Sequence, residues 1–164
     1  MGLERSLPGV SMLGYPAPAM SEAKTVPTEV QVADFIAGVE PPAKREDALV
    51  LDRLFRAATG QEPRMWGPTI IGYGEYRTTY DSGRQVWNLR CGFSPRKAKH
   101  SLYLIPCDDA GDAAGFERLL ARLGKHSRGK GGCLYVNKLA DIDLTVLEEM
   151  IVLAWRRSFE LYPE

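Results

Sequence analysis

The sequence predicts an α+β domain of two layers, an antiparallel sheet packed by N- and C-terminal helices. Two patterns predict it, helical spacing of apolar residues near both ends and strand-like alternation between them. A third observation sets the domain count: 164 residues, 45% hydrophobic and 26% charged, suit one globular core.

Residues 1–23 carry Pro8, Gly9, Gly14, Pro16 and Pro18 without sustained periodicity, so they are expected to form a disordered leader to a single domain over 24–164. Met20 resembles a natural start, which would make Met1 to Ala19 an upstream extension. Thr28 and Gln31 read as a capping box. Val32, Phe35, Ile36 and Val39 then give one apolar face to a first helix over about 29–37. After Pro41 and Pro42, a second helix is expected from about Lys44, burying Ala48, Leu51, Leu54, Phe55 and Ala58 until Gly60 stops it.

The period then changes. Met65 to Tyr73 reads as an apolar stretch whose first half, broken by Gly67 and Pro68, is an edge or bulged strand. Tyr76, Thr78 and Tyr80 alternate with Glu75, Arg77 and Thr79. The turn Asp81-Ser82-Gly83 leads into Trp87, Leu89, Cys91 and Phe93, predicting a hairpin with a half-buried face. Ser101 to Ile105 is expected to be a central strand, apolar on both faces. Phe116, Leu119, Leu120 and Leu123 predict a third helix ended by Gly124, and Cys133 to Val136 a short strand. Asp143 is placed to cap a last helix that buries Val146, Leu147, Met150, Ile151, Leu153 and Ala154.

Composition narrows the function classes. Cys91, Cys107 and Cys133 are odd in number and form no C-x-x-C pair, which argues against a disulfide framework or zinc knuckle and for a cytosolic setting. No run approaches the roughly 20 apolar residues that cross a bilayer. Net charge of +0 argues against charge-driven nucleic-acid binding. The basic residues are nevertheless uneven. Arg84 to Cys107 holds five Lys or Arg and Arg118 to Ala140 six, with no acid in either segment. Such local charge serves an anion site even in a neutral protein.

Gly124-Lys125-His126-Ser127-Arg128-Gly129-Lys130-Gly131 nearly matches the phosphate-loop pattern, but it follows a helix rather than a strand and lacks the terminal hydroxyl residue. Two readings remain for it: a solvated basic turn, or an anion site using Lys125, His126 and Lys130. Ser94, Arg96 and Lys97 offer the same pair of readings in the Ser94–His100 connection. His100 and His126 sit among cations, which disfavours a metal site, and Cys133 reads as a small core residue. The sheet is rich in aromatics, so Trp66 beside Arg90 is a candidate small-ligand platform. No nucleophile, base and orienter can be assembled, which favours a non-enzymatic role without a cofactor.

Several motifs are familiar together: Arg64-Met65-Trp66-Gly67-Pro68-Thr69-Ile70-Ile71-Gly72, Gly92-Phe93-Ser94-Pro95-Arg96-Lys97-Ala98, Leu123-Gly124-Lys125-His126, and Lys138-Leu139-Ala140-Asp141-Ile142-Asp143-Leu144. With Gly129-Lys130 and Cys133-Leu134-Tyr135, they resemble the bacterial YdhG-like family, a domain of unknown function, over about Thr25 to Ala154. This chain has Gly129-Lys130-Gly131-Gly132-Cys133, one residue longer than the family's Gly-Lys-Ser-Cys or Gly-Lys-Gly-Cys. The resemblance implies a frataxin-like fold in the cytosol, and for at least one relative iron delivery to iron–sulfur cluster and haem synthesis. Acidic candidates for that role, Glu29, Asp34, Glu40, Glu46, Asp47 and Asp52, are sparse and mixed with Lys44, Arg45 and Arg53, a surface suited only to weakly bound iron. The expectation is therefore a binding module for a small anionic ligand or acidic protein surface, with an iron chaperone as the alternative.

Overall fold

The computed structural model describes residues 26–104, 113–129 and 133–163. Four α-helices, α1 (Val32–Ala37), α2 (Pro42–Thr59), α3 (Ala113–Leu123) and α4 (Leu144–Leu161), accompany six strands. The strands are β1 (Pro63–Trp66), β2 (Ile70–Thr79), β3 (Gln85–Pro95), β4 (His100–Leu104), β5 (Ser127–Arg128) and β6 (Cys133–Val136). They form one sheet in the order β1-β2-β3-β4-β6-β5, with every neighbouring pair antiparallel. The leader and the proposed start near Met20 fall outside the described residues.

Local chemistry accounts for several boundaries. Pro42 opens α2, where its missing N–H costs nothing, and Gly60 closes it in the left-handed conformation with its amide on the Arg56 carbonyl at 2.8 Å. Asp143 caps α4, its carboxylate accepting from the Thr145 and Val146 amides at 2.9 and 3.3 Å.

Other expectations are corrected. α1 begins at Val32 without a side-chain cap, because Thr28 belongs to an extended segment whose amide bonds to the Met65 carbonyl at 2.8 Å. The first half of Met65 to Tyr73 is, as expected, an edge strand, β1, and what the expectation lacked is the tight turn at Gly67–Thr69 that folds it back on β2 as a hairpin. β4 is central, but its faces are not both apolar, since His100 and Ser101 are buried in it. The Gly- and Lys-rich loop contains the short strand β5.

α2 packs on β2 and β3, α4 packs on β3 and β4, and the two helices touch each other, so they share one face of the sheet. Phe55 of α2 stacks on Tyr73 and Phe93, centroids 5.0 and 5.5 Å away, at the centre of a core that also takes Leu51, Leu102, Leu134, Leu147 and Ile151. α3 packs against α4 and α1 against α2. The β2–β3 hairpin outruns its neighbours, because β1 pairs with β2 only as far as Tyr73 and β4 with β3 only as far as Cys91. That leaves Tyr80 and Trp87 about half exposed near the hairpin tip, where alternation alone predicts a buried face.

Candidate functional site

β3 ends at Pro95, and Arg96 to Lys99 turn the chain into β4, with the Arg96 amide bonded to the Lys99 carbonyl at 3.3 Å. The second basic segment is held by different contacts. The Lys125 amide bonds to the Asp141 carbonyl at 3.1 Å, and β5 then lies beside β6. β4 meets β6 with His100 opposite Val136, and β5 meets β6 with Ser127 opposite Tyr135. Lys99 and Asn137 adjoin the ends of that β4–β6 pairing, next to the Arg96–Lys97 turn, whereas Lys125 lies before β5, where its amide is held by Asp141 and Gly124 bridges to Ile142.

Tyr135 joins the two segments physically. The Lys99 ammonium lies 4.1 Å from the centre of its ring, a cation–π contact. Gly129 lies against the ring's other atoms, so closely that a Cβ there would come within 2.6 Å of the hydroxyl oxygen. Arg96 is near enough to the Cys133 thiol to favour its thiolate, but burial outweighs this and raises the thiol's pKa. Lys44, buried at the start of α2, donates to the Asn137 carbonyl and to Asn137 Oδ1 at 3.1 Å, adding a fixed charge at the same end. Arg96, Lys97, Lys99 and Lys125 are all exposed and form no ion pair with another described residue.

His126 is half-buried, with Nδ1 2.7 Å from the Gly124 carbonyl. A carbonyl only accepts, so Nδ1 carries the proton. A neutral His126 then presents only the acceptor Nε2 and donates to an anion from there only as imidazolium. Ser94 is not part of the cluster. Its side chain is buried, and its hydroxyl donates to the Thr69 carbonyl at 2.7 Å in the β1–β2 turn. Lys130 lies outside the described residues. Arg128 is drawn away to Glu117 on α3 at 2.8 Å.

Trp66 and Arg90 do not form an exposed platform, for each is only 1% accessible. Arg90 instead ties down the end of α4, donating to the carbonyls of Ser158 and Tyr162 at 3.0 Å each. Lys99 and Tyr135 are missing from the sequence-based candidates. Lys99 shares the basic run of Arg96 and Lys97, a usable signal; Tyr135 is recruited only by strand pairing.

Among the described residues, no group of three or more His, Cys, Asp or Glu is placed to hold a metal ion. Several of the acidic candidates have other partners: Asp52 accepts from Tyr73 and Arg56, Glu40 pairs with Arg45, and Asp47 faces His100. No described helix is long and apolar enough to cross a membrane.

Among the described residues, fold and site together define a class, an α+β domain with a six-stranded antiparallel sheet, four α-helices and a cationic cluster at one sheet end. No protein-family model, curated protein or solved structure matches the chain.

Proposed function

We propose that this protein is a non-enzymatic binding module whose cationic sheet end engages an anionic group, foremost the acidic surface of a protein partner. One observation carries the reading: Lys99 from the first basic segment and Gly129 from the second meet on the Tyr135 ring. Arg96, Lys97 and Lys99 are exposed on one loop and Lys125 on another, an arrangement in two loops that favours a carboxylate-bearing surface over a small ligand. The motifs that resemble the YdhG-like family, and the helices from both ends of the chain on one sheet face, support a frataxin-like layout and a cytosolic setting.

Thermal-shift titrations with pyrophosphate and with a hexaglutamate peptide separate the two kinds of anion. Hexaglutamate is expected to raise the melting temperature more than pyrophosphate. A larger shift with pyrophosphate assigns the site to a small anion, and no shift with either removes the proposal. The iron alternative is tested by ferrous titration; absence of binding at micromolar concentration rejects it.

A further inference from the structure

We propose that the outer face of α4, with the groove beside it, is a self-association surface on which a second copy of this chain lays its own α4 in the antiparallel direction. The surface shares no residue with the cationic sheet end and does not rest on the function proposed there. Helical spacing divides α4 into two faces. Val146, Leu147, Met150, Ile151, Ala154 and Ser158 are buried on the inner one. Thr145, Glu148, Val152 and Arg156, spaced three, four and four residues apart, share the opposite face. Val152 is half-buried, yet unlike Leu153 it is not packed against the core. Beside it α3 and α4 leave an open groove of about 530 Å³, mostly apolar, with Leu119 and Leu153 in its walls. An apolar strip rimmed by charges marks an interaction surface.

Charge says what covers the strip. Glu148 and Glu149 stand toward the N-terminal end of α4 and Arg156 toward its C-terminal end, all three lining the groove. None of these side chains has an ion pair or hydrogen bond with another described residue, whereas the adjacent Arg157 is paired with Glu160 at 2.6 Å. At the rise of an α-helix, Glu148 and Arg156 lie about 6 Å to either side of Val152 along the axis. A two-fold axis at Val152 therefore sets Glu148 of each copy opposite Arg156 of the other, twice, with the apolar residues meeting between them.

Other arrangements satisfy this face less well. A parallel pair of α4 helices would set carboxylate beside carboxylate and Arg156 beside Arg156. A uniformly basic or uniformly acidic partner would suit one end of the face and be repelled at the other, whereas the same helix reversed suits both. Ion pairs at such a surface fix orientation more than they add affinity, and the apolar strip supplies the attraction. One helix face and one groove per copy make a contact at the small end of specific interfaces, so a dissociation constant of about 10 µM is expected.

Analytical ultracentrifugation of the full chain tests this. From about 1 to 200 µM the parent should pass from the 18.2 kDa monomer toward a species of twice that mass. Arg156→Glu makes the face wholly acidic, and the double variant Glu148→Lys, Glu149→Lys makes it wholly basic. Each alone should associate at least about tenfold more weakly than the parent, because like charges then face each other. An equimolar mixture of the two should regain association, since an acidic face then meets a basic one. That recovery also shows that both variants are folded. A parent that stays monomeric over the whole range overturns the proposal and leaves the groove to another protein. Association of either variant at full strength, or a mixture no tighter than its components, overturns it as well.

Discussion

His100 is wholly buried in β4, with Nε2 3.3 Å from Asp47 Oδ2, while Nδ1 is buried without a hydrogen-bond partner among the described residues. Burial is the main reason its pKa falls below the usual 6.5; the nearby Lys44 charge adds to this, and Asp47 opposes it. Below pH 6.5 the unfolded chain takes up a proton that the folded chain resists. The stability tied to a neutral His100 is therefore complete above about pH 6.5 and is lost as pH falls through the lower folded value, with a slope of at most about 1.4 kcal/mol per pH unit. Urea melts between pH 7.5 and 5 should show this decline, and His100→Gln should flatten it. An unchanged slope in the variant would assign the acid sensitivity to other groups.

Helix ends and turns are where sequence and structure agree best, because their chemistry is local. Asp143 reaches amides two and three residues ahead, and Gly60 needs only its own freedom at positive φ. Asp143→Ala is accordingly expected to cost about 1 kcal/mol in a urea melt, and Asp143→Asn much less. A loss equal in both variants would mean that charge, not capping, holds the end of α4. Where a distant strand decides, local signals mislead. Thr28 has the residue type and spacing of a cap, yet its amide is taken by Met65 of β1 and its hydroxyl oxygen accepts from Val30, two residues short of the helix. Ser127 and Arg128 have no strand signal and become β5 only because β6 offers an edge. Trp87 alternates like a core residue but lies where the hairpin has outrun its neighbouring strands.

For the whole molecule, zero net charge conceals a strong asymmetry, with 11 of 21 basic residues in two acid-free segments. Those segments are legible in the sequence; their meeting is not, because it depends on a strand order in which β6 is inserted between β4 and β5. The same limit explains Ser94, which reads as part of a basic turn but is the end of a buried strand. The central claim is that the two basic segments make one site. Calorimetric titration of hexaglutamate into the parent, Lys97→Ala and Lys125→Ala at low and high salt tests it most directly. One binding event is predicted, weakened by either substitution about two- to fivefold at low salt and suppressed in all three proteins at high salt. Two independent binding events, or full affinity in either variant, would contradict it.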